Sequence, residues 1–81
     1  MKTLCEAVRD RINFLLKEHN MNPHNLTLKS GVLTGTLWGI LSARNKSVDF
    51  MTIIKLAGGF EMSLAEFVDD SLFNEDNLKV D

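Results

Sequence analysis

The side chains here that could perform chemistry are few, and their spacing argues against catalysis. Cys5, His19 and His24 are the chain's only cysteine and histidines, and no zinc-holding Cys/His spacing occurs among them. Asp69 and Asp70 are adjacent, so on a helix their carboxylates point about 100° apart and cannot form an acid–base dyad. No Ser/His/Asp set, glycine-rich phosphate loop after a strand, or thiol activated by a neighbouring base can be assembled. The sequence therefore predicts no enzyme, no metal site and no cofactor. What remains is the chemistry of binding. Arg44-Asn45-Lys46 is a short basic run that suits phosphate contact or a solvated loop. Trp38, the only tryptophan, suits contact with a partner or lateral packing on a neighbouring helix.

Five helices must position these groups. Leu4, Val8, Ile12, Leu15 and Leu16 recur at three- and four-residue steps, which predicts helix one over residues 3–19, with Asn20 turning left-handed after it. Asn22-Pro23 reads as N-cap and first position of a short helix two ending near Ser30-Gly31. Leu26, Gly31, Val32, Leu37 and Ile40 then fit two short helices joined by a tight turn, with helix three over residues 34–43. Leu37 and Ile40 face inward and Trp38 faces out. Helix four is capped by Ser47 or Asp49 and turns Phe50, Ile53, Ile54 and Ala57 inward, and Gly58-Gly59 weakens its last turn. Ser63 and Glu66 form a capping box, with Met62 and Phe67 as its staple, so helix five covers residues 64–72. The expectation is one all-α domain over residues 1–73, followed by an acidic tail, residues 74–81, that frays.

Composition sets the wider bounds. Eighty-one residues with 44% hydrophobic content and one proline suit a single compact helical domain. The lone cysteine precludes an internal disulfide and predicts a buried thiol in a reducing compartment; with no leader or spanning segment, the expected location is cytoplasmic and no membrane partner is expected. The net charge of −2 hides an asymmetry: residues 1–59 carry eight basic and four acidic side chains, residues 60–81 one and seven. Salt screens the acidic end beyond about 8–10 Å, so a surface for a polyanion is possible elsewhere. Lys17 and Lys29 read as ordinary surface lysines, and the acidic end as solvation, repulsion of DNA or help in dimerisation.

The order Arg11-Ile12, Leu15, Leu26, Gly31-Val32, Thr36-Leu37, Ile40, Ile53-Ile54-Lys55-Leu56-Ala57 and Ser63-Leu64-Ala65-Glu66-Phe67 resembles the phage-repressor and Cro-type helix-turn-helix family, also called xenobiotic-response-element-like. The resemblance spans roughly residues 9–69 and implies a lambda-repressor-like fold of five helices. It further implies a homodimeric DNA-binding regulator, a repressor by expectation, on a palindromic operator with half-sites about 34–36 Å apart or a multiple. Carried over, Thr34, Gly35 and Trp38 fall at base-reading positions, and Asn22, His24, Thr36, Arg44, Asn45 and Lys46 at phosphate-contacting ones. Dimerisation is expected through helix five, using Phe67, Val68, Leu72 and Phe73. No effector domain fits in this length, so no small-molecule ligand is expected.

Several positions depart from the family pattern. Leu33-Thr34 replace a hydroxyl cap followed by glutamine or arginine, and Gly35 and Gly39 weaken helix three. Its outer face lacks the Arg, Asn or Gln that reads bases bidentately. Leu16 and Leu41 stand where relatives often pair arginine with glutamate, and are expected to touch. Ala43 replaces a helix-ending glycine, so helix three is expected to run on toward Asn45. These departures keep open an alternative: a protein-interaction module, antirepressor- or antitoxin-like, with the fold but weak DNA readout.

Overall fold

Short-range hydrogen bonding sets the start of four helices. In a computed structural model, which describes residues 1–44 and 48–79, α1 is Leu4–Glu18, α2 Pro23–Ser30, α3 Thr34–Leu41, α4 Phe50–Gly59 and α5 Leu64–Val68. Two single-turn 3-10 helices follow, Ser71–Phe73 and Glu75–Asn77. The chain is all-helical, as expected. Thr3 with Glu6, Asn22 with Asn25, and Ser63 with Glu66 form reciprocal capping boxes, and Asp49 caps α4. Asn45 and Lys46, expected on phosphate, and Ser47, the alternative cap, lie outside the described residues.

Helix ends follow a shared pattern. After α1, α3 and α4 the chain closes with paired 6→1 and 5→2 bonds, and the left-handed residue is Asn20 (φ 54°), Ala43 (φ 56°) or Glu61 (φ 58°). Arg44 N–H reaches the Gly39 carbonyl at 3.1 Å and Ala43 N–H the Ile40 carbonyl at 2.9 Å. Helix three therefore stops at Leu41 and does not run toward Asn45. A left-handed non-glycine residue costs about 1–2 kcal/mol, which the closed turn at Ala43 sustains. Gly31 follows α2 at φ 74°, as its position in the turn requires.

One core joins the helices. Val8, Ile12, Leu26, Leu37, Leu56 and Phe67 are wholly buried in it. Leu4 is exposed, and Cys5 takes the inward place, its thiol donating to the Ile40 carbonyl at 3.8 Å and linking α1 to α3. Leu16 is buried and Leu41 half-buried against this same core. α2 packs chiefly on α4, and α1 on α3.

Three expectations are corrected and one, on Gly59, is added to. Phe50 and Ile54 of α4 are 67% and 42% exposed; Ile53, Leu56 and Ala57 form its inner face. Gly59 does not simply loosen α4: it is buried against Leu26 and Ser30 of α2. α5 ends at Val68, where Arg11 reaches across from α1: its Nε donates to the Phe67 carbonyl (2.8 Å) and Nη2 to the Glu66 carbonyl (3.1 Å). Beyond Phe73 the chain does not fray as far as it is described: Leu78 forms a parallel bridge with Lys2, and Lys79 N–H donates to the Lys2 carbonyl at 2.6 Å.

The caps make stability acid-sensitive. The Glu6 carboxyl lies below its ordinary value of 4.5 because it accepts the Thr3 backbone N–H, and Glu66 likewise through Ser63. Asp49 lies below 3.8 through the Thr52 N–H. Partial burial raises Asp10, but hydrogen bonds from Lys2 and Arg9 outweigh it and leave the group lowered. A carboxylate depressed in the folded state stabilises fully above its unfolded value and loses that contribution as pH falls through the folded one. The urea midpoint should therefore fall as pH is taken from about 6 to about 3. Glu6→Gln with Glu66→Gln should flatten that fall; an unchanged slope would remove these caps from its cause.

Candidate nucleic-acid interface

The turn Gly31-Val32-Leu33 sets α3 at an angle that only its rear face is spent on packing. Val32 is buried at the junction, and Leu37 and Ile40 are buried behind the helix. At helical spacing Thr34, Trp38 and Ser42 then share the opposite face, with Gly35 beside Trp38, and all four are exposed. Trp38 is 55% exposed, so its expected outward orientation is what the structure has.

Trp38 stands as a ridge between two clefts. One, of roughly 280 Å³, is lined by Asn22, Pro23, His24, Thr27, Thr34 and Trp38. It joins the N-terminal turn of α2 to the outer face of α3. The other, of roughly 430 Å³, is lined by Gly35, Trp38, Gly39, Ser42 and Arg44. Six of the residues expected to contact DNA therefore lie on one surface: Asn22, His24, Thr34, Gly35, Trp38 and Arg44. Thr36 does not join them; it is half-buried and lines neither cleft. Pro23, Thr27, Gly39 and Ser42 also belong to the surface, none of them among the expected contacts. Ser42 was legible as the residue one helical turn beyond Trp38.

Polar groups of this surface are largely committed within the chain. Asn22 Oδ1 accepts the Asn25 N–H at 2.8 Å, the Thr27 hydroxyl donates to the His24 carbonyl at 2.7 Å, and the Ser42 hydroxyl to the Gly39 carbonyl at 3.3 Å. Among the described α-helices, α3 alone has an N-cap, Leu33, that makes no side-chain cap bond. Leu33 is 76% exposed. The positive charges divide by location. Lys2 and Arg9 pair with Asp10, and Arg11 with Asp70, on the α1 side. Arg44 enters none of these pairs and lines the second cleft. The acidic segment from Glu61 packs chiefly with α4 and α1.

The expected dimer residues are mostly spent elsewhere. Phe67 is wholly buried, its ring 6.2 Å from that of Phe73, which packs on the core. Leu72 is half-buried, and Val68 alone of the four is exposed. The corrected reason is that Arg11 and the 3-10 turn draw this segment onto α1. A wider cleft, roughly 720 Å³, is an open one where α1 meets α2, lined by Asn13, Phe14, Leu16, Lys17, Asn20, Met21 and Pro23. Lys17 is its one ionisable group, which offers no acid–base pair. Among the described residues no group of His, Cys, Asp and Glu could hold a metal ion, and no helix is long and apolar enough to cross a membrane.

The chain matches no protein-family model, no curated protein and no solved structure.

Proposed function

We propose that this protein binds double-stranded DNA and regulates transcription, most simply as a repressor, with a lambda-repressor-like fold of the phage-repressor and Cro type. The observation that carries this is the outer face of α3: a short helix braced from behind, its Thr34, Gly35 and Trp38 exposed in one surface with the start of α2 and with Arg44. Such a helix enters a major groove, with phosphates met by Asn22, His24 and Arg44, and by Asn45 and Lys46, which follow Arg44 in the sequence. The open first turn of α3 adds a partial positive charge on the same side. Action as a homodimer on a palindromic operator remains part of the reading, with Val68 and the exposed α4 residues as the surface for pairing in place of Phe67 and Phe73.

The test is binding of a random-sequence duplex across salt, read by Trp38 fluorescence. With about three phosphates neutralised per protomer, the salt slope is near −2.7, so affinity should fall about 40-fold between about 50 and about 200 mM salt. Arg44→Ala should weaken binding on every sequence and reduce the slope by about 1. A second reading, a protein-interaction module, is favoured by exposed Leu28, Leu33, Phe50, Met51 and Ile54. Failure to bind duplex even at low salt, with the indole silent, would decide for it.

A further inference from the structure

We infer that α3 reads the C5 methyl group of pyrimidines, through Trp38 and Leu33, rather than the hydrogen-bonding edges of bases. This rests on the DNA-binding reading and specifies its chemistry. The outer face of α3 carries no amide, guanidinium or carboxylate; its side chains are Thr34, Trp38 and Ser42 with Gly35 between. The Ser42 hydroxyl is turned onto Gly39, and in the adjoining cleft Thr27 and the Asn22 oxygen are turned onto their own chain. Beside the Thr34 side chain, what projects is apolar: Leu33 at the head of the helix and the indole five residues on.

The glycines sharpen this. A Cβ at Gly35 would meet nothing within 4 Å, so no packing demand inside the protomer explains a helix-weakening residue there. Gly35 and Gly39 both line the cleft beside Trp38. The missing side chain at Gly35 leaves the flank of the indole open to a close-lying surface. In a B-form major groove the one apolar group on unmodified bases is the thymine methyl, shared chemically by 5-methylcytosine.

The experiment compares a short alternating dA–dT duplex with the same duplex containing deoxyuridine, which removes only that methyl. Covering one methyl is worth about fourfold in affinity, so a homodimer covering one in each half-site should prefer the thymine duplex about fifteenfold. Trp38→Ala, whose helicity is checked by circular dichroism, should lose most of the preference, the double variant with Leu33→Ala should bind both duplexes equally, and Trp38→Phe should keep part of the preference. Equal, salt-dependent binding of both duplexes by the unaltered protein overturns the methyl inference and leaves DNA binding standing. So does a Trp38→Ala variant that loses affinity for both duplexes by the same factor. Binding to neither duplex at low salt overturns the DNA reading itself.

Discussion

Replacing Arg11 with methionine should lower stability by about 3 kcal/mol, read as a shift in the urea midpoint at constant slope. The magnitude follows from what the guanidinium holds. Arg11 is 8% exposed and binds the last carbonyls of α5, Phe67 at 2.8 Å and Glu66 at 3.1 Å, and the Asp70 carboxylate at 3.4 Å. α5 has only five residues, too few to be stable alone; the Asp69 and Asp70 N–H groups meet the Glu66 and Val68 carbonyls, and Arg11 is the side chain that meets Phe67 and Glu66. Methionine keeps the aliphatic stem and removes every donor, so the buried Phe67 carbonyl loses its partner, Glu66 keeps only the Asp69 N–H, and the Asp70 carboxylate loses its cation. Lysine keeps the charge but not the fork, so Arg11→Lys should recover less than half of the loss. Asp70→Asn, at a more exposed partner, should cost under about 1 kcal/mol. A domain of this length is stable by about 4–12 kcal/mol, so the methionine variant should be visibly destabilised, with α5 losing amide protection first. An Arg11→Met midpoint indistinguishable from the parent would mean that α5 is held by Phe67 alone.

Adjacent glycines in α4 should respond to alanine with opposite sign. A Cβ at Gly59 would lie 2.8 Å from Leu26 Cδ1, 2.9 Å from Ser30 Cβ and 3.3 Å from Ser30 Cα, whereas one at Gly58 would meet nothing within 4 Å. Leu26 is wholly buried and Ser30 closes α2 before the Gly31 turn, so neither can move without shifting α2 on α4. Overpacking of this kind costs about 1–3 kcal/mol, of which improved helix propensity returns under about 1. Gly59→Ala should therefore lower the melting temperature by about 10 °C, and Gly58→Ala should raise it by a few degrees at most. Because α2 also carries Asn22 and His24, Gly59→Ala should weaken duplex binding as well. Equal responses at the two positions would mean that α2 and α4 pack less closely than this.

Much of the architecture was legible because helix starts are decided locally. Thr3, Asn22, Asp49 and Ser63 each find a backbone N–H three residues on, a distance that no later folding step alters. The rear face of α3 was legible for a related reason: Leu37 and Ile40 can share a face only if Trp38 leaves it. Helix ends were harder. Ala43 turns left-handed although Asn45 suits that conformation better, because the register of the closing bonds, and not the residue's preference, sets the stop.

α4 shows where local reasoning fails. Ile53 and Ile54 are equally apolar neighbours, and only the side on which α2 docks decides that Ile53 is buried and Ile54 is not. The same holds for Phe67, an apparent interface residue that the core absorbs, and for Arg11, whose partners lie more than fifty positions away along the chain. Residue order alone determined where the helices start, the caps at Asn22 and Ser63, the turn at Gly31 and the outward course of Trp38, since each depends on groups within one or two turns. Tertiary packing alone decided which α4 face is covered, what α5 is anchored to, that the final turns fold back on Lys2, and that the start of α2, Trp38 and Arg44 share one surface. Those outcomes depend on which distant segments meet, and apolar burial rewards any of several meetings until backbone geometry selects one.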